Sequence, residues 1–215
     1  MKRNNESNDL NFVIRWMETK ILTDTVMNRF IILLSGIAIS FGIHESRYFN
    51  SQGYLVSLVS YHNWLMEWIM IIVMGLFIGI FTYFIKGFIM FLVLKICGGD
   101  VSYKLSRRIL LYSGLPIYIV AIFIENINML LYDIYFTNIK LSITLEYLWL
   151  TLMICSFVLF LYLLFYLSRK RSNTGLIRSL IFLIIIPFIF NVLYISKVLY
   201  LEEWTKVYKV IPRFF

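Results

Sequence analysis

The chain has 215 residues, of which 60% are hydrophobic and only 15% charged, with three prolines and a formal net charge of +8. That balance leaves almost nothing from which to build a separate water-soluble domain. The positive charge sits beside apolar stretches rather than on a folded basic domain, which argues against nucleic-acid binding.

The apolar residues fall into five stretches: Thr25–Ile43, Trp64–Leu94, Ile109–Ile124, Tyr147–Leu167 and Leu176–Leu199. A helix needs roughly 20 residues to cross a hydrocarbon core ~30 Å thick. The pattern therefore predicts an all-α integral membrane protein, a five-transmembrane-helix bundle. Residues 1–24 form a cytoplasmic N-terminal segment, residues 25–200 the membrane domain and residues 201–215 an interfacial C-terminal tail.

Ahead of the first span, Leu10, Val13, Ile14, Met17 and Ile21 recur at helical spacing, with Asn8 or Asp9 as the cap. They predict an N-terminal amphipathic interfacial helix with Trp16 at headgroup depth. It serves to anchor the first span or, on a sharper reading, to dock a partner. In the tail, Leu201, Trp204, Tyr208 and Ile211 repeat the device before Pro212 ends it.

Short loops that remain in the cytoplasm hold an excess of lysine and arginine. Lys2, Arg3, Arg15, Lys20 and Arg29 precede or open the first span, while the loop His44–Asn63 holds only Arg47. The second loop carries Lys95, Lys104, Arg107 and Arg108, and the third, Glu125–Glu146, only Lys140. The fourth holds Arg169, Lys170 and Arg171, with Arg178 close behind. This alternation predicts a cytoplasmic N-terminus and, with five spans, an extracytoplasmic C-terminus. Lys197, Lys206, Lys209 and Arg213 of the tail run against the pattern. The same basic residues can attract anionic headgroups of the bilayer.

The second stretch, at about 31 residues and ~46 Å, exceeds the hydrocarbon thickness. A bend at Lys86–Gly87 is the expected solution, with Lys86 snorkelling to the headgroups. Gly75 and Gly79 form a GxxxG, and Gly36 with Ser40 a matching small pair, so close helix packing is expected there. Packing within the chain is the first use of such a pair and a homodimer seam the second. Pro116 and Pro187 are expected to kink the third and fifth spans. Tyr112, Ser113 and Gly114 read as a soft polar turn before the first of them, and Asn191 as a residue that hydrogen-bonds a neighbouring helix.

Convergent chemistry is scarce. His44 and His62 share the first loop with Glu45 and lie near Glu67, but no HExxH or cysteine pair accompanies them. Cys97 and Cys155 fall at opposite depths and are read as unpaired thiols. Glu125, Asn126, Asn128 and Asp133 sit at the outer boundary, where carboxylates are solvated. Gly98-Gly99 lacks the rest of a phosphate loop. No cofactor, metal or catalytic residue is expected.

Leu94–Pro116, reading LKICGGDVSYKLSRRILLYSGLP, joins the end of the second span to the third. Glycines after a helix permit the left-handed turn that ends it, and Ser102 is placed to cap a new helix at Tyr103. This stretch resembles the signature of the YIP family, five-span membrane proteins that interact with Ypt/Rab GTPases. Lys95, Gly98, Gly99, Ser102, Tyr103, Lys104, Tyr112, Ser113 and Pro116 carry the resemblance. Asp100 stands where a basic residue is frequent, and Met17-Glu18-Thr19-Lys20 where bacterial relatives often carry an Arg-Pro pair. The short N-terminal segment and the Ile/Lys/Asn/Tyr-rich composition suit a bacterial plasma membrane. The resemblance implies a non-enzymatic scaffold or accessory subunit of a transport, trafficking or envelope-stress system. Its partner would be a membrane protein, such as a transporter complex, contacted through the hairpin. A small transporter or channel is the alternative, suggested by the two prolines.

Overall fold

The computed structural model describes residues 5–23, 25–50, 64–130, 139–193 and 196. Among the described residues seven helices follow in chain order: α1 Asn5–Thr23, α2 Thr25–Asn50, α3 Trp64–Ile96, α4 Tyr103–Ser113, α5 Leu115–Leu130, α6 Ile139–Ser172 and α7 Leu176–Leu193. Among the described residues there is no strand. The C-terminal tail and much of the first loop lie outside the described residues, as do the side chains of His44, Glu45, His62, Glu67 and Asn128.

Three helices are long and apolar enough to cross a membrane alone: Trp68–Ile96, Tyr147–Ser172 and Leu176–Leu193. Two bent pairs pass the same test together, Phe12–Thr23 with Val26–Phe41 and Tyr103–Ser113 with Leu115–Ile127, which allows up to five spans. Large apolar side chains point outward along these rods, among them Phe77, Phe81 and Phe190, each about two-thirds exposed. In water such surface would drive association, whereas lipid tails solvate it.

Several element boundaries differ from those expected. α1 starts at Asn5, so Asn8 and Asp9 lie inside it rather than capping it. α2 continues to Asn50 and α6 begins at Ile139, shortening the first and third connections.

α3 is one uninterrupted helix of 33 residues, about 50 Å long at 1.5 Å per residue. The bend expected at Lys86–Gly87 is absent because Gly87 serves packing instead. A Cβ there would collide with the aliphatic stem of Arg107 on α4. The kink expected at Pro116 falls two residues earlier: α4 and α5 meet at Gly114 with a 43° bend. Pro116 occupies the first turn of α5, where a missing N–H breaks no helical bond. Gly114 leaves room for the ring of Tyr118, whose Cε2 would stand 2.8 Å from a Cβ.

Tyr112 and Ser113 are fully buried, not part of a soft turn, and the Ser113 hydroxyl donates to the Ile109 carbonyl at 2.7 Å. Before Pro187, residues Ile181–Ile185 form a π-helical turn in place of a sharp kink, the Ile186 N–H donating to the Ile181 carbonyl. Asn191 donates to the carbonyl of Pro187 in its own helix at 2.9 Å, and among the described residues its exposed side chain bonds no neighbouring helix.

The tightest seam joins α2 and α3. A Cβ on Gly36 would overlap the Gly75 carbonyl, and one on Gly75 would lie 2.9 Å from the Ile37 nitrogen. Gly79 faces the Ile32 carbonyl and Gly36, so these small residues let two backbones touch within one chain. Ile37, Phe41 and Ile71 pack beside the seam, with Phe41 edge-on to Trp68 at 5.2 Å. A larger core lies toward the lysine- and arginine-rich end, where Ile14, Met17, Ile21, Leu94, Ile109 and Leu167 come together.

Candidate functional site

The basic end of the bundle is built from two turns and one helix. The first turn ends α3. Gly98 takes φ +77°, its N–H donates to the Lys95 carbonyl and that of Gly99 to the Leu94 carbonyl, both at 2.9 Å. These two bonds satisfy carbonyls that the helix end would otherwise leave open, and the left-handed residue between them suits glycine. Ser102 then caps α4, its hydroxyl accepting from the Leu105 N–H at 3.2 Å. The glycine turn and the serine cap read from the sequence are both present.

The second turn, between α6 and α7, lies against the first. The Asp100 N–H donates to the Ser172 carbonyl at 2.9 Å and the Gly175 N–H to the Cys97 carbonyl at 3.0 Å. Between these two rungs, Gly99 is buried under Thr174. A Cβ on Gly99 would meet Thr174 Cγ2 at 2.7 Å, the Leu94 carbonyl at 2.9 Å and the Ser172 carbonyl at 3.0 Å. Asn173 turns the chain at φ 49°, and the buried Ser179 hydroxyl donates to Thr174 Oγ1 at 2.6 Å. Burial pushes the Cys97 thiol above its ordinary range, against a hydrogen bond with Ser179 and the charge of Arg178. Cys97 and Cys155 are both free, one buried and one exposed.

α1 is fastened onto this end. Ile14, Met17 and Ile21, the face expected to enter the membrane interface, are buried in the protein core instead. Trp16 stands 6.3 Å from the ring of Tyr112. Arg108, expected to face cytoplasm or headgroups, is buried and donates to the Ile21 and Leu22 carbonyls at 2.7 and 2.9 Å. A guanidinium at a helix C-terminus satisfies open carbonyls and opposes the negative end of the dipole.

From α6, Lys170 pairs with the buried Glu18 carboxylate at 2.7 Å, and Arg171 donates to the Glu18 carbonyl at 2.9 Å. Burial disfavours the Glu18 carboxylate. Hydrogen bonds with Lys170 and Tyr166 and the charges of Lys170 and Arg171 outweigh it, holding the carboxyl below its usual range.

The residues of the sequence motif therefore divide. Lys95, Gly98, Gly99, Ser102, Tyr103 and Lys104 share the hairpin. Lys95 lies over the Phe91 ring at 5.9 Å, Lys104 is exposed, and the Tyr103 hydroxyl donates to the Phe84 carbonyl at 2.9 Å. Tyr112 and Ser113 lie at the far end of α4, about 15 Å from Tyr103, and Pro116 follows the bend on α5. Sequence reasoning missed Glu18, Lys170 and Arg171 as one cluster, and Arg108 as a cap. An acidic residue at helical spacing from Ile14 and Ile21, on the apolar face of the amphipathic helix, was the available signal for Glu18.

No family model, curated protein or solved structure matches the chain. Its chemistry must be taken from the geometry. Among the described residues no three His, Cys, Asp or Glu side chains come together. What the basic end offers is a hydrogen-bonded platform whose exposed Lys95, Lys104, Arg169 and Arg178 form a cationic surface. Such a surface attracts acidic proteins and anionic headgroups.

Proposed function

We propose that this chain is a five-span membrane scaffold or accessory subunit of YIP type, with its basic end as the partner-binding face in the cytoplasm. The observation that carries the reading is the pair of backbone rungs joining Cys97–Asp100 to Ser172–Gly175. Two connections that could each move freely are instead locked together, with α1 fastened beside them through Lys170 and Arg171. A fixed, charged, exposed surface suits holding another protein, because little ordering entropy remains to be lost on binding. The bend at Gly114, on which a transporter reading would rest, is filled by Tyr118 and by the buried Tyr112 and Ser113. That filling supports a platform over a gate.

The charge alternation supports a cytoplasmic N-terminus and an extracytoplasmic C-terminus, and a bacterial plasma membrane as the location. Photocrosslinkers at Asp100 and Arg178, one on each turn, test the partner. The same protein captured from both positions in native membranes, and lost when Gly99→Ala separates the turns, is the expected result. Lipid alone from both positions would sink the proposal.

A further inference from the structure

A second basic site lies away from the platform, in a narrow cleft bounded by α2, α3, α4 and α5. Ser35, Thr82, Tyr83, Lys86, Arg107 and Tyr118 line it. Two cations enter it and no carboxylate lines it. Arg107 is held there by aromatic faces: its guanidinium lies 4.3 Å from the ring centre of Tyr103, 4.7 Å from Phe84 and 4.8 Å from Tyr83. Gly87 admits its stem. Rings hold a cation in place but accept no strong hydrogen bond in the guanidinium plane. The Arg107 Nε is buried, and among the described residues no group accepts from it. Lys86 likewise has no ion-pair partner there, although it sits within an apolar helix.

Two uncompensated cations beside a membrane span are costly, and a bound anion removes that cost. The space within the cleft, about 20 Å³, admits one water-sized atom, so one oxygen of a larger group can enter while the rest stays at the open mouth. Lys86 lies 18 residues, about 27 Å, along α3 from Trp68. That is close to one hydrocarbon thickness, so with Trp68 at one interface the cleft stands at the headgroup depth of the other. We infer that this cleft binds a phosphate group, with Lys86, the Arg107 guanidinium and the Tyr118 hydroxyl as donors. The phosphate can belong to a phospholipid headgroup or be free in solution, and the chemistry of recognition is the same.

The test uses the whole chain purified in a maltoside detergent. Native mass spectrometry would score retention of phosphatidylglycerol against diacylglycerol, which lacks the phosphate. In parallel, thermal melting would be followed against inorganic phosphate. Lys86→Gln and Tyr118→Phe are the variants, the first exposed and the second a loss of one hydroxyl, so both keep the fold. Retention of phosphatidylglycerol over diacylglycerol, weakened roughly tenfold by Lys86→Gln as expected for a charged hydrogen bond, assigns the site to a headgroup. Stabilisation by millimolar phosphate alone, lost in Lys86→Gln, assigns it to the free ion. Equal retention of the two lipids with no effect of phosphate, or variants that bind like the parent, would overturn the inference.

Discussion

Arg108 closes the C-terminal end of α1 from a position 87 residues further along the chain, its Nη1 lying 2.7 Å from the Ile21 carbonyl oxygen. The same group reaches the Leu22 carbonyl at 2.9 Å. One buried cation thereby satisfies two carbonyls that a helix end leaves without partners. Replacing Arg108 by alanine leaves them open and removes the packing of its stem. The expected loss is about 3 kcal/mol, the usual range for a buried charged hydrogen bond broken on one side. A fall in melting temperature in detergent, with faster proteolysis between α1 and α2, measures it. An unchanged melting curve would mean that α1 is held by its apolar face alone.

The Glu18 cluster makes the docking of α1 depend on pH. Its carboxyl is held below the ordinary value of 4.5. A depressed carboxylate contributes stability that is complete above the ordinary value and lost as pH falls through the lower folded value. A nitroxide at the exposed Phe12 position should therefore stay immobile at neutral pH and gain mobility only below about pH 4.5. Glu18→Gln should be more mobile than the parent at neutral pH and show no acid transition, because it lacks the titrating carboxylate while Arg108 and the apolar face still hold α1. Mobility that rises equally in both proteins would assign the transition to another group.

These contacts separate what could be read along the chain from what could not. The left-handed turn at Gly98 and the cap at Ser102 depend on neighbours within five residues, so local pattern was enough. The small residues Gly36, Gly75 and Gly79 announced close packing, although their spacing could not tell an internal seam from one between two chains. Gly87 and Lys86 suggested a bend because a glycine in a long apolar run has several uses. Only the position of Arg107 on α4 shows that the space is for a side chain. Glu18 with Lys170, and Gly99 with Thr174, join residues more than seventy positions apart, and no periodicity records such pairs. The charge count assigned Arg108 to the aqueous phase for the same reason: its acceptors are backbone groups on α1.

The glycine pair in the first turn should separate by mechanism. Gly98→Ala asks an L-residue to adopt φ +77°, with only an ordinary contact to Arg178 Nη1 at 3.7 Å, which costs about 1–2 kcal/mol. Gly99→Ala meets two backbone carbonyls and a buried threonine within 3.0 Å, and backbone cannot step aside as a flexible side chain can. Gly99→Ala should therefore destabilise more than Gly98→Ala in thermal melts. Adding Thr174→Ser should recover only part of the loss, because the two carbonyls remain. The reverse order would mean that the two turns are not zipped as described.

The α2–α3 seam predicts which property a bulky substitution changes. Gly75→Leu drives a side chain into Ile37, whose nitrogen and Cα lie about 3 Å from the site of the new Cβ. The bundle should lose at least the usual overpacking cost of about 1–3 kcal/mol, because the Ile37 backbone cannot step aside as a flexible side chain can. Light scattering of the protein in detergent should show the same mass for whatever remains folded. A variant that folds normally but loses a dimer would place the seam between chains.

Labelling of single cysteines tests the orientation on which the partner-binding reading depends. Cys97 and Cys155 are first replaced by alanine; one is buried and the other exposed, so neither can be left to react. Lys104→Cys and Arg178→Cys report the two turns that the backbone rungs hold together. Both should be blocked by a membrane-impermeant maleimide only after the cytoplasmic face is opened, because lysine- and arginine-rich connections are retained there. Ser57→Cys, in the stretch His44–Asn63 whose one basic residue is Arg47, should react from outside in intact cells. Residues 104 and 178 must give the same answer, since the rungs fix both turns at one end of the bundle. Reaction of both from outside would invert the whole chain and remove the cytoplasmic partner face, while leaving the hydrogen-bonded platform itself intact.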